Sequence, residues 1–454
     1  MAELERLALR CIWPGFPGHE PPDWVRRWLS QGLGGVVYFG RNVRDPEQVA
    51  ALSGTLRAEQ PDLVVAIDEE GGDVTRLELA TGSSSPGNWA LGVVDDVETT
   101  EAVARGIGTL CAAAGVNLDF APVADVNSNP RNPVIGVRSF GAEPELVARH
   151  VSAFVRGLQS TGVAACAKHF PGHGDTEEDS HLALPVAHGD LEAALVPFRA
   201  AVAAGVQSIM TAHIVVPAVD GVPATVSRRL LTDLLRGELG FDGLVVTDAL
   251  EMRGLAGSVG VEEGAVQALA AGADALCLGF ELGEEDVRSV CAAILEAVRS
   301  GRLAEERVAE AARRAERLAR WAGRPHPADV LPEAGLEAAR RALHVEGDVQ
   351  VDGPARVVEL LPEPNIAAGP HEHSLAHLLD TADGGRLVIV LRDAHRYERE
   401  RTEAERLLEA HPDAIVVETG LPSWRPPAAR AYIATQGAGQ ANLEAAAERL
   451  RGEG

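Results

Sequence analysis

Aromatic side chains are scarce, at 4% of the 454 residues. A chain that is 46% hydrophobic and 24% charged still has the composition of an ordinary globular protein, so aliphatic side chains and alanine must fill its core. Basic residues are also few. Lys and Arg number 41 against 67 Asp and Glu, a net charge of −26. Phosphate backbones and anionic lipid head groups are held by basic surfaces, so neither a nucleic-acid nor a membrane partner is expected. The five cysteines, Cys11, Cys111, Cys166, Cys277 and Cys291, are scattered, odd in number and free of CxxC spacing. That pattern fits reduced, buried thiols rather than a disulfide frame or a zinc site. No stretch approaches the roughly 20 apolar residues that span a bilayer. The opening MAELERLALRCIWPGFPG lacks a basic segment followed by an apolar run. A cytoplasmic location is the expectation.

What is present is an alternation of apolar runs with helical patterns. Eight runs, Leu7–Ile12, Gly35–Phe39, Leu63–Ile67, Asn117–Ala121, Val163–Ala167, Gln207–Thr211, Leu244–Thr247 and Asp274–Leu278, are nearly continuous in apolar residues. Parallel strands buried on both faces look like this. Segments between them, such as Leu191–Ala204 and Val261–Ala271, carry apolar residues at three- and four-residue spacing, and Gly205, Gly240 and Gly272 stand where helices end. Eight such units predict an α/β fold, a (β/α)8 TIM-type barrel. An open doubly wound sheet is the alternative, but no GxGxxG follows the first run. Helical patterns fill 284–320, and the Gly- and Pro-bearing stretch 322–332 opens a linker placed over 322–349, with one more helix in it, Glu333–Leu343. The barrel is assigned to 1–321. A smaller α/β layered C-terminal domain, 350–454, is read from short apolar runs at Val357–Leu360, Leu387–Leu391, Ile415–Val417 and Tyr432–Ala434, with helices over Glu398–His411 and Ala441–Leu450; 365–385 is poorly patterned.

In a barrel the chemistry sits at the C-terminal ends of the strands. Nearly every run here ends in a charged or amide side chain: Asp68, Glu69 and Glu70 after the third, Asp125 and Asn127 after the fourth, His213 after the sixth, Asp248 after the seventh. The fifth run leads into Lys168–His181, KHFPGHGDTEEDSH, a presumed loop. Asp179 and His181 lie two apart, so on an extended segment the carboxylate can hold one imidazole nitrogen and raise the basicity of the other. Asp248 at a barrel mouth suits a nucleophile, a base or a metal ligand, and equally an N-cap. His169, His173, Asp175 and His181 could ligate a metal, but Pro171, Gly172 and Gly174 break the helix that HxxxH spacing needs. No metal and no cofactor is expected.

With VVTDALEM downstream (245–252), and with AIDEEGGDVTR (66–76), NLDFAPVADVN (117–127) and NPVIGVRSFG (132–141), the KHFPGHGDTEEDSH stretch resembles family 3 of the glycoside hydrolases, in particular its bacterial β-N-acetylglucosaminidase branch. The resemblance covers roughly residues 1–320. It implies that Asp248 is the nucleophile of a retaining mechanism and that His181, partnered by Asp179, is the acid and then the base. It implies that Asp68, Arg76, Arg138, Lys168 and His169 hold the sugar, with His173 and Asp175 shaping the loop. The branch often has Gln where this chain has Glu69, and a basic or neutral residue where it has Asp73. The expected activity is exo-acting release of N-acetylglucosamine from small carbohydrate substrates, peptidoglycan fragments or chitin oligosaccharides. A neutral imidazole does not repel phosphate as a carboxylate would, so a phosphorylase with inorganic phosphate as acceptor is the alternative. A sugar-binding barrel without catalysis is the remote one.

Overall fold

The computed structural model describes residues 2–323, 333–363, 366–369 and 373–453. Most of the expected 322–332 connection, and residues 365 and 370–372 of the unpatterned stretch, lie outside them. The first unit has eight parallel strands: β1 (Ile12–Pro14), β2 (Gly35–Tyr38), β3 (Val64–Ile67), β4 (Leu118–Asp119), β5 (Ala164–Phe170), β6 (Ser208–Thr211), β7 (Leu244–Thr247) and β8 (Leu276–Leu278). Strands β2 to β7 form one sheet in chain order, and β1 pairs with β8. A bridge from Val246 to Ala275 joins β7 to the start of β8, and β1 lies against β2, which brings the ring round.

Alternate side chains along each strand enter different cores. Val37, Val64, Ala66, Cys166 and Val246 point to an inner cluster, whereas Val36, Tyr38, Val65, Ile67, Ala165 and Val245 pack outward on helices. Burial on both faces is why the strands read as unbroken apolar runs. The helix Glu305–Ala322 brings Ala315, Leu318, Ala319 and Ala322 into the inner cluster and so closes one end of the ring.

Two local expectations change. Leu7–Ile12 is not a strand: Ala2–Arg10 is helical, and β1 starts at Ile12. The spacing of Leu4, Leu7, Ala8 and Cys11 is helical, and Ala, Leu, Glu and Arg are strong helix formers. β5 also runs further than expected, so Lys168 and His169 lie in the strand and not in the loop. The chain after β4 keeps pairing with it: Lys168 N–H donates to Pro122 O at 3.1 Å and Ala124 N–H to Lys168 O at 2.6 Å.

The second unit is a five-stranded sheet built from β9 (His344–Glu346), β10 (Ala355–Leu360), β11 (Arg386–Leu391), β12 (Ile415–Glu418) and β13 (Ala431–Ala434), in the order β10-β11-β12-β13-β9 with β9 antiparallel. β9 falls inside the 322–349 linker, so the sheet reaches back beyond residue 350. Its three residues are half-buried or exposed, too short and too weakly apolar to stand out. The helices Glu398–Ala410 and Gln440–Arg451 flank the sheet, with a core on each face. No helix among the described residues is long and apolar enough to cross a membrane.

Candidate active site

The strand ends of the barrel open into a cavity of about 710 Å³, lined also by Ile366–Gly369 of the second unit. Its base is a buried ionic lattice. Lys168, from inside β5, places Nζ 2.6 Å from Asp68 Oδ1 and 2.6 Å from Glu70 Oε1. Arg138 grips Glu70 with two bonds, Nε to Oε2 at 2.9 Å and Nη2 to Oε1 at 2.8 Å. Burial alone would raise the Glu70 carboxyl, but Arg138 and Lys168 outweigh it and hold the group well below the usual carboxylate range. Charges so paired present fixed donors and acceptors without leaving a bare ion in the protein.

His169 is oriented by Asp125, whose Oδ2 lies 2.7 Å from Nδ1. The other Asp125 oxygen accepts the backbone N–H groups of His169 at 3.2 Å and His173 at 2.7 Å. The His173 ring is enclosed, with Thr176 Oγ1 at 2.7 Å and Ser180 Oγ at 3.0 Å, and burial lowers it to about 4. It is a neutral brace within the loop. Asp175 Oδ2 accepts the N–H groups of His188 and Gly189 at 2.9 and 2.6 Å, pinning the loop's return.

The far end of the loop carries the expected dyad. His181 Nδ1 lies 2.6 Å from Asp179 Oδ1, which also accepts the His181 N–H at 2.9 Å. Burial would lower the imidazole, but the Asp179 hydrogen bond and charge, with Asp248 adding, raise it above its ordinary value. The loop docks across the ring, for Gly254 N–H donates to Ser180 O at 3.1 Å. Asp248 follows β7, and its Oδ1 accepts the Ala249 N–H at 2.7 Å. Burial would raise its carboxyl, but His213, His169 and His181 outweigh that and keep it ionised. His213 is itself lowered by burial; its Nε2–H donates to Ala249 O at 2.9 Å, which fixes its tautomer and steadies the turn after Asp248.

Asp68, Arg138, Lys168, His169, His181 and Asp248 therefore line one cavity, with Asp179 behind His181. Arg76 lines it too, yet its guanidinium reaches into the second unit, donating to Ala367 O at 2.6 Å and Ala368 O at 3.3 Å. Glu70, Asp125 and His213 also stand at strand ends in the sequence. Glu70 and Asp125 hold side chains far along the chain, those of Arg138, Lys168 and His169, and His213 holds the Ala249 carbonyl. Glu69 turns away from the cavity lattice: Oε2 accepts the N–H groups of Arg76 and Leu77, both at 2.8 Å, and burial pushes its carboxyl up to about 7. Among the described residues no group of three or more His, Cys, Asp and Glu is arranged to hold a metal ion.

An ionised carboxylate and a carboxylate-backed imidazole share a cavity whose base offers paired, directional hydrogen-bonding groups. Fold and site together define a barrel enzyme suited to group transfer from an uncharged polyol, the chemistry of glycoside cleavage. Residues 9–318 match the model of the glycosyl hydrolase family 3 N terminal domain. The chain belongs to glycosyl hydrolase family 3. It is 42% identical over 251 residues to a beta-hexosaminidase of Pseudomonas aeruginosa, 53% of this chain and 74% of that protein. It is 37% identical over 281 residues to beta-hexosaminidase A of Pseudoalteromonas piscicida, 56% of this chain but only 47% of that protein, about half its length. The fold superposes on a family 3 beta-N-acetylglucosaminidase from Paenibacillus sp. str. FPU-7 with a TM-score of 0.88 at 35% identity, covering 99% of this chain and 97% of that one.

Proposed function

We propose that the protein is a retaining, exo-acting β-N-acetylglucosaminidase. The observation that carries the reading is the convergence of Asp248 and the Asp179–His181 dyad on one cavity over the Asp68–Lys168–Glu70–Arg138 base. The likeness to the Pseudomonas and Paenibacillus enzymes supports the choice of sugar. In this reading the base lattice, with His169, binds the hydroxyls of the terminal sugar. Asp248 attacks the anomeric carbon while His181 gives a proton to the departing glycosidic oxygen, and Asp179 stabilises the imidazolium before and the tautomer after. A water then loses its proton to His181 and displaces Asp248, restoring both groups with retention. Suitable substrates are peptidoglycan fragments and chitin oligosaccharides. Five buried, unpaired thiols support a reducing compartment such as the cytoplasm, and peptidoglycan recycling is the role consistent with it.

The test is turnover of an aryl N-acetyl-β-D-glucosaminide. Asp248→Asn is expected to lose activity by about a thousandfold or more at unchanged melting temperature. Unimpaired turnover in that variant would overturn the reading. Adding inorganic phosphate to the wild type is expected to leave rate and product unchanged; appearance of a sugar 1-phosphate would make the enzyme a phosphorylase instead.

A further inference from the structure

Pro130 lies in the irregular stretch that follows β4, and its carbonyl is held from the second unit: His395 Nε2–H donates to Pro130 O at 2.6 Å. Proline has no N–H, so its backbone offers only the carbonyl, and a carbonyl can only accept. The proton on His395 Nε2 is therefore fixed by its partner. The other ring nitrogen, Nδ1, is buried without a hydrogen-bond partner among the described residues. The ring is thus placed for one bond, made across 265 residues of chain. The main chain of His395 is steadied in turn by Arg401 of the helix Glu398–Ala410, whose Nη1 donates to His395 O at 2.6 Å.

The residues on either side of Pro130 cradle the loop that carries the dyad. Asn129 N–H donates to Gly174 O at 3.3 Å, and Asn129 Nδ2 to Asp175 O at 3.3 Å. Asn132 Nδ2 donates to His173 O at 2.8 Å and to Thr176 O at 3.1 Å. Arg131 pairs with Glu177, two residues before Asp179. His173 then reaches Ser180, which stands between Asp179 and His181. An irregular backbone stretch keeps one shape only where it is pinned, and the bond from His395 pins the middle of this cradle. We propose that His395 is a positioning residue for the Asp179–His181 dyad, acting from the second unit through the turn at 129–132. The proposal rests on the reading that His181 is the general acid. The same stretch leads on to Val134, whose carbonyl accepts Arg138 Nη1 at 2.9 Å, so a general loosening of it would reach the sugar floor as well. The two effects separate by leaving group, because only the dyad gives the departing oxygen its proton.

The test compares kcat/KM for two N-acetyl-β-D-glucosaminides, one of dinitrophenol, which departs without a proton, and one of methylphenol, which needs the acid. His395→Leu is expected to lose about tenfold on the methylphenyl glycoside, and less than about twofold on the dinitrophenyl one. His395→Gln keeps an N–H donor near the Nε2 position and is expected to restore the methylphenyl rate, whereas Arg406→Gln, in an exposed pair on the helix Glu398–Ala410, leaves both rates as in the wild type. Should His395→Leu fail to fold, Arg401→Met, which frees the His395 main chain, carries the same expectation. Equal losses on the two substrates, no loss on either, or a His395→Gln protein as impaired as His395→Leu would overturn the assignment. His181→Gln separates this failure from that of the reading beneath it. Its loss should fall on the methylphenyl glycoside, and a loss equal for both would overturn His181 as the acid and the role of His395 with it. Turnover of neither glycoside by the wild type would overturn the N-acetylglucosaminidase reading itself.

Discussion

Glu70 shows how a single carboxylate can organise a binding floor. It meets Arg138 through two bonds and Lys168 through one, with all three side chains buried. Removing one member of such a set leaves its partners charged and uncompensated, at a cost of about 3 kcal/mol. Glu70→Gln is therefore expected to lower thermal stability by that order and to raise KM, whereas a surface change such as Arg27→Gln does neither. The dyad gives a second test at this scale. The proposed general acid must be protonated in the free enzyme, and Asp179 raises the His181 imidazole. Activity in kcat/KM should then persist to a pH above the ordinary histidine range before it falls. Asp179→Asn removes the raising influence, so the basic limb is expected to move to lower pH, and a limb that stays in place would show that His181 is not the titrating acid.

The elements carry this chemistry through close packing, and the loop after β5 is the clearest case. A Cβ on Gly174 would stand 1.9 Å from Val126 O, so only glycine lets the loop lie on the chain that follows β4. Gly174→Ala is expected to shift the loop and cut kcat more than tenfold, out of proportion to any change in melting temperature. The second sheet has its own buried group. Glu418 accepts N–H bonds from Asp393 and Gly420 at 2.9 and 2.7 Å, and burial, with Asp393 adding, pushes its carboxyl up to about 8. The folded chain thus holds a proton that the unfolded chain gives up near 4.5, so stability falls as pH rises from about 4.5 to about 8. Melts across that range should flatten in Glu418→Gln. Much of this level was legible in the sequence, because strands buried on both faces leave unbroken apolar runs and strand ends collect polar residues. The first run failed because a short amphipathic helix abutting a three-residue strand looks like one apolar run. The partners of Glu70 and Asp125 were hidden because pairing across the ring depends on strand order, which no local spacing encodes.

At the scale of the whole molecule, the feature least visible in the sequence is that the second unit reaches the cavity. Residues 68–76 form the hinge of this arrangement. Asp68 and Glu70 face Lys168, whereas Asp73 accepts the Ala438 N–H at 2.8 Å and pairs with Arg392, and Arg76 donates to Ala367 O and Ala368 O. One short segment is thus fastened to the second unit at two points and to the sugar floor at two others. The Asp73 carboxylate pairs with Arg392, which lies in the other unit. The Asp73 side chain is 3% exposed and that of Arg392 18%, so the pair is shielded from water. Truncating one member is expected to cost about 3 to 5 kcal/mol, more than an exposed pair. Arg392→Met should therefore lower the melting temperature, and it should raise KM for substrate, because the segment that carries Asp68 and Glu70 loses an anchor. Asp73→Asn in the same background should recover part of the stability by removing the buried charge that Arg392 had balanced. A double-mutant cycle measured by thermal unfolding gives the coupling directly. Strictly additive losses, with KM unchanged in both single variants, would mean that the second unit is tethered to the barrel without helping to shape its floor.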